Sequence, residues 1–338
     1  MIHVDGAEEQ QMKRSLAISF LSACGLFLQG PDAPPLKLIQ TILLPGVEGR
    51  IDHLAVDLNT QKLFIAALGN NTVEVVDVGQ GRRGRSITGL NEPQGIAFVP
   101  DLNRVFVAGG GDGMLRTYDS GTLTAGQDLK LGADADNVRY DSKTGTIVVG
   151  YGAGALGLVD AKSMKRTGNI KLSGHPESFQ LDTSNQRIYV NVPNANHVAV
   201  IDRVRPSVIA TWPMGDLHAN FPMALDEASH RLFVATRNPA RLAVLDTATG
   251  KLVAVLNCSG DADDIFYDSQ NKRIYVAAGE GFIDVFRQQD ADHYSPIARV
   301  PTAAGARTAL FVPEMHRFFL AVPHRGTQAA AIQVYDAG

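Results

Sequence analysis

Two stretches of this sequence nearly repeat each other: GADADNVRYD at 132–141 and SGDADDIFYD at 259–268. Each gathers acids just ahead of a strand-like run. Carboxylates packed this closely can exchange protons, hold a hard cation such as Ca²⁺ or Mg²⁺, or cap the N–H groups of a tight turn. Asp52 and His53 follow Arg50, Asn137 and Asp264 follow Asp136 and Asp263, and Glu177, His175, His218, Asn220 and Arg307 occupy comparable approaches to strands. Carboxylate, imidazole, amide and guanidinium groups in one place suit acid–base chemistry beside an anion clamp, or recognition of a polar ligand without turnover.

What could bring such distant residues together is a repeat. Asp57, Pro100, Asp141, Asp182, Asp226, Asp268 and Pro313 each close a strand, at steps of 41 to 45 residues. After each comes a second strand: KLFIAAL, RVFVAGG, TIVVGYG, RIYVNVP, RLFVATR, RIYVAAG and RFFLAVP. A third follows: TVEVVD, MLRTYD, ALGLVD, HVAVID, RLAVLD, FIDVFR and IQVYD. A weaker fourth precedes the next unit, as in KLVAVLN. Short strands rich in β-branched and aromatic residues, separated by Gly, Asn, Asp and Pro, mark an all-β chain. Four strands in about 40–45 residues is the length of a β-propeller blade. The spacing therefore predicts seven blades of four antiparallel strands. The seventh stops after its third strand, and residues 36–44 form an apolar strand with no unit of their own. Pairing them into blade seven would close the ring and cover an open edge.

IYVNVPNANHVAVID and LFIAALGNNTVEVVD resemble the YVTN repeat of the YncE-like seven-bladed propellers, and NEPQGIA at 91–97 is similar to that family's P-x-G-I-A approach to the next blade. The resemblance runs from about residue 36 to 336. It implies the propeller fold. It leaves function open, because such propellers include surface-layer proteins, binding proteins and some enzymes.

Five residues before the anchors stand Asp52, Gly95, Asp136, Glu177, Phe221, Asp263 and Thr308; four before stand His53, Ile96, Asn137, Ser178, Pro222, Asp264 and Ala309. In a propeller these positions converge on one end of the central channel. The predicted ligand site at that mouth is Arg50, Asp52, His53, Gln94, Asp136, Asn137, Glu177, His218, Asn220, Asp263, Asp264 and Arg307. The residue types differ from blade to blade, as they would if a repeating scaffold read a non-repeating ligand. The acids also fit capped turns or a wetted rim. Residues 212–222, with the only Trp, form either an apolar lid on this rim or a loop packed on its own blade.

No G-x-S-x-G, HExxH or phosphate-binding loop is present. That favours a scaffold binding a small molecule or protein partner at the channel rim. The alternative is a lactonase- or lyase-type enzyme, since seven-bladed lactonases and streptogramin-type lyases use acids, His and Arg at such a rim. Asp136, Glu177 or Asp263 would then be the base, His53 or His218 the acid, and Arg50 with Arg307 the clamp. Ca²⁺ or Mg²⁺ is the cofactor the carboxylates would suit. Zinc lacks a spaced Cys/His set, haem lacks a CxxCH, and no Trp docking motif of the PQQ-dehydrogenase kind recurs.

The chain has 338 residues, is 45% hydrophobic and carries a net charge of −4, ample for a core and unlike a nucleic-acid surface. Residues 1–30 read as an export signal: Met12, the better start, opens a Lys13-Arg14 n-region, and a short apolar run follows. That run is too short to span a membrane. Leu21-Ser22-Ala23-Cys24 resembles a lipobox, so Cys24 is either a lipid anchor or next to an ordinary cleavage site. Residues 31–35 are a Pro-containing linker, and 36–338 a single propeller, expected as a monomer in the periplasm or outer envelope. Cys258 is then left without a disulfide partner.

Overall fold

The computed structural model describes residues 34–338. The predicted export segment and Cys24 lie outside them. The described residues form seven four-stranded antiparallel sheets. Blade one is β2 (Leu54–Asp57), β3 (Lys62–Ala67), β4 (Thr72–Asp77) and β5 (Arg82–Ile87). Blade two is β6 (Pro93–Val99), β7 (Arg104–Gly109), β8 (Met114–Asp119) and β9 (Ala125–Lys130). Blade three is β10 (Val138–Asp141), β11 (Thr146–Tyr151), β12 (Ala155–Asp160) and β13 (Arg166–Lys171). Blade four is β14 (Phe179–Asp182), β15 (Arg187–Val192), β16 (His197–Asp202) and β17 (Ser207–Pro213). Blade five is β18 (His218–Asp226), β19 (Arg231–Asn238), β20 (Ala240–Asp246) and β21 (Leu252–Asn257). Blade six is β22 (Ala262–Asp268), β23 (Arg273–Ala278), β24 (Phe282–Gln288) and β25 (Tyr294–Pro301). Blade seven has β26 (Ala309–Val312), β27 (Arg317–Val322) and β28 (Ala331–Asp336), with β1 (Lys37–Leu43) as its outer strand.

The protein is thus a seven-bladed β-propeller whose N-terminal strand closes the last blade. β1 runs antiparallel to β28, with Ile42 opposite Ile332. Thr308 completes the join at the inner edge, its hydroxyl donating to the Ile51 carbonyl at 3.1 Å.

Burial explains why the second and third strands read as continuous apolar runs. Both faces of these strands are covered by neighbouring blades, so residues 63–67 of β3 are all buried. Seven apolar clusters result, one at each blade interface. The outer strands are half-solvated and leave Val208, Ile209, Leu252 and Val255 exposed.

The aspartate anchors are turn caps. Asp57, Asp182 and Asp268 each accept the N–H of the second and third residues beyond them, at 2.9 to 3.4 Å. Pro100 and Pro313 instead open one-turn 3₁₀ helices with fixed φ. Either way the turn ends on a left-handed residue: Gln61, Asn103, Gly145, Gln186, His230, Lys272 and His316 have φ of 50° to 67°.

Trp212 is not at the rim. It is buried at the interface of blades four and five, its ring centroid 5.4 Å from that of Tyr189. Residues 212–222 therefore form no lid built on Trp212, although Phe221 of this segment lines the channel mouth.

Candidate functional site

The residues just before the inner strands continue the pairing with the second strand. Asp52 donates its N–H to the Ala66 carbonyl at 2.7 Å, Asp136 to Gly150 at 2.9 Å and Glu177 to Asn191 at 3.0 Å. This shared bond places equivalent side chains of successive blades around one end of the channel. They enclose a cavity of about 410 Å³. Nine of the twelve predicted residues line it: Arg50, Asp52, His53, Gln94, Asp136, Asn137, Glu177, Asp263 and Arg307.

The other three lie elsewhere. Asp264, on the strand that carries Asp263, lines the channel beyond the mouth and accepts the Ala309 N–H at 2.8 Å. His218 is exposed and faces Asn238 across β18 and β19. Asn220 is buried and donates to the Asn191 side chain at 2.9 Å, joining blades four and five. The lengthened β18 carries both away from the channel axis, so their sequence distance from the anchor misleads.

Arg237, Asp134, Glu92 and His175 also line the mouth without being reached by a count from the anchors, and Asp261 stands behind it. Arg237, at the end of β19, binds Asp263 at 2.5 Å and lies 3.8 Å from the ring centroid of Phe221. A signal exists: where the other second strands end in Leu, Gly or Pro, this one alone ends in a charge. Asp134 accepts from Gln94 at 3.3 Å, and His175 holds the Gly152 carbonyl at 2.6 Å through Nδ1. Asp261 takes both its oxygens to Arg307, at 2.7 and 2.8 Å. Gly95 occupies blade two's ring position because a Cβ there would stand 1.9 Å from the Asp136 carbonyl oxygen.

The mouth has two unlike halves. Across blades five, six, seven and one, each acid has a guanidinium. Asp263 lies between Arg237 and Arg307, the latter at 2.8 Å, and Asp52 pairs with Arg50 at 2.5 Å. Burial raises the Asp263 carboxyl, and Arg307 and Arg237 oppose that rise.

Across blades three and four the acids outnumber the cations. Asp136 is buried, and its Oδ1 has no hydrogen-bond partner. The nearest cationic candidate, His53 Nε2, is 3.8 Å away and also 3.7 Å from Asp52. Burial lowers the His53 pKa, against the pull of Asp52 and assisted by Arg139. Burial, then the charges of Asp52 and Glu177, push Asp136 well above the ordinary carboxylate range. Glu177 is raised to about 7, chiefly by burial, with Asp263 adding to the rise and His175 opposing it. Among the described residues, no group of three or more His, Cys, Asp or Glu side chains converges as a metal-ligand set.

The fold and the mouth together define a repeat-built propeller with a polar cavity at one end of its channel. Over 194 residues the chain is 22% identical to the "Uncharacterized protein YncE" of Salmonella typhimurium, covering 56% of this chain and 54% of that protein. The chain thus spans about half the length of this curated relative. This weak homology and the seven blades fit a YncE-like propeller family. No protein-family model matches. A chain of the mitotic checkpoint complex superposes with a TM-score of 0.76 at 12% identity, covering 96% of this chain and 98% of that one. One of Kuenenia stuttgartiensis hydrazine synthase gives 0.71 at 16%, covering 86% and 98%. Both likenesses concern the fold alone.

Proposed function

We propose that this is an exported propeller scaffold that binds a small, positively charged, polar molecule at the channel mouth. The observation that carries this reading is Asp136: a buried carboxyl lining a small-molecule cavity, with an oxygen that no protein group satisfies. An orphaned buried acceptor is costly, and a ligand donor removes the cost. With Glu177, Asp134 and Asn137 beside it, the acid half suits an ammonium, a guanidinium or a hard cation. Export rests on the Lys13-Arg14 pair and the apolar run after it.

Calorimetric titration of the full chain with agmatine, L-arginine and CaCl₂ tests the site. At least one should bind, and D136N should weaken that binding by about tenfold or more, the worth of a hydrogen bond to a charged group. No heat from any of the three at millimolar concentration, or unchanged affinity in D136N, overturns the reading.

One observation favours an enzyme as the second reading. Glu177, raised to about 7, is poised as an acid–base group near neutral pH, with His175 and the Arg237 guanidinium close enough to oppose that rise. Glucono-1,5-lactone opening, followed by base uptake, should then show an inflection near pH 7 that E177Q abolishes. Wild-type rates equal to buffer exclude this lactone chemistry.

A further inference from the structure

Beyond the mouth the channel widens into a second chamber of about 480 Å³, bounded by the inner strands of all seven blades. Its walls are of another kind. Two residues before the anchors, blades two, six and seven carry Phe98, Phe266 and Phe311, and blades one and five carry alanine. Blades three and four supply the polar members of this layer, Arg139 and Gln180.

Arg139 is the anomaly. Among the described residues no carboxylate reaches it within ion-pair distance, whereas Arg50, Arg237 and Arg307 at the mouth are all paired. Its recorded hydrogen bond runs from Nη1 to the carbonyl of its own neighbour Val138, at 3.0 Å. Its guanidinium lies 5.5 Å from the Phe179 ring centroid. The groups facing it are otherwise engaged. Asp264 Oδ2 accepts the Ala309 N–H and its Oδ1 sits 3.9 Å from His53, while Gln180 donates to the Met223 carbonyl at 2.7 Å. Burial lowers the Arg139 pKa against the more distant pull of Asp264 and Asp136, neither of which comes within ion-pair distance. Arginine keeps its proton regardless and retains free donors in a fork that fits a carboxylate.

We propose that this chamber is a second binding site, for a monoanion with a flat apolar body such as an aryl carboxylate, its carboxylate on Arg139 and its ring among Phe98, Phe266 and Phe311. A single charge is specified because there is one guanidinium, and Asp136 and Asp264 nearby disfavour a second negative charge. The two chambers share only His53 and Ser178 among their lining residues, so this site stands or falls apart from the mouth.

The test is fluorescence titration of the full chain with 2-naphthoate, 2-naphthyl phosphate and 2-naphthylmethanol. Wild-type protein should bind naphthoate at least about tenfold tighter than the neutral alcohol, and tighter than the phosphate dianion. R139Q should remove that preference, leaving naphthoate and alcohol alike, and R139K should restore part of it. Saturating agmatine should not displace naphthoate. The proposal is overturned if the wild type prefers the alcohol or the phosphate, if R139Q binds naphthoate as the wild type does, or if agmatine displaces it. The wild-type comparison decides the question even should a variant fail to fold.

Discussion

Arg237 of blade five and Asp263 of blade six meet at 2.5 Å, Nη2 to Oδ1, while the same guanidinium lies over the Phe221 ring. The carboxylate's other oxygen takes Arg307 Nε at 2.8 Å. One acid of the mouth is thereby fixed by its neighbours on both sides.

Removing this arginine should cost stability. R237M keeps the apolar stem but leaves Asp263 with Arg307 alone in a largely buried place. Breaking a buried pair exposes the remaining charge to its desolvation cost, here reduced by the second guanidinium. The expected loss is about 2–3 kcal/mol, read by urea denaturation. R237K, which keeps a charge but cannot reproduce the fork, should fall between the two. R237M as stable as the wild type would mean the pair contributes nothing.

Stability should fall as pH rises from about 4.5 to 7. Glu177 goes from an ordinary value of 4.5 to about 7 on folding, so the native state binds its proton more tightly than the unfolded one. That stabilisation is complete below the unfolded value and is lost as pH climbs through the folded one. Asp136 and Asp264, also raised, act in the same sense. Asp141, Asp182 and Asp226 are lowered despite burial, by hydrogen bonds to their oxygens, and stabilise only once ionised. They impose an opposite loss as pH falls through the acid range. Melting temperature against pH should therefore pass through a maximum on the acid side of neutrality. E177Q should flatten its descent towards pH 7, and a descent unchanged in E177Q would show that Glu177 is not its source.

Asp136 and Asp182 should respond oppositely to neutralisation. Asp182 caps the N–H groups of Ser184 and Asn185 at 3.0 and 2.9 Å and accepts the Tyr189 hydroxyl at 3.0 Å. D182A should cost about 1–3 kcal/mol, combining a lost cap with an orphaned buried donor. The Asp136 carboxyl caps no turn and sits among like charges. D136N should leave stability unchanged or raised. A thermal melt of D136N below the wild type by as much as D182A would show that both acids are architectural.

The repeat was legible because it is built from burial. A strand covered on both faces is predominantly apolar, with few buried polar members such as Asn191, so RIYVNVP and its six counterparts declare themselves. The left-handed turn residues were not legible, since six of the seven are not glycine and the aspartate cap or proline dictates the turn instead. At the mouth, Asp52, Asp136, Glu177 and Asp263 follow from constant spacing to the anchor. Asn220 and His218 fail because β18 is nine residues long where β10 and β14 have four. Arg237 comes from a second strand, and Asp134 and Asp261 from loops with positive φ, where counting along the first strand carries no information.

The closing strand offers the sharpest test of the architecture. Ile42 of β1 is buried against Ile332 and Phe319, in the apolar cluster shared by blades seven and one. Ile209, on the equivalent outer strand of blade four, is 52% exposed. Ile42 takes the inward position that Trp212 takes in blade four, whereas Ile209 is the bulged residue of its strand, as the exposed Ile39 is of β1. I42A should cost about 2–4 kcal/mol through lost burial and the cavity left behind, whereas I209A should stay within about 0.5 kcal/mol of the wild type. Deleting residues 36–44 goes further and leaves the unpaired groups of β28 as an exposed edge that another chain can add to. That variant should aggregate, or lose its single cooperative transition, in light scattering and circular dichroism on heating. A truncated protein that stays monodisperse and melts as the wild type does would mean that β1 is not what holds the ring shut.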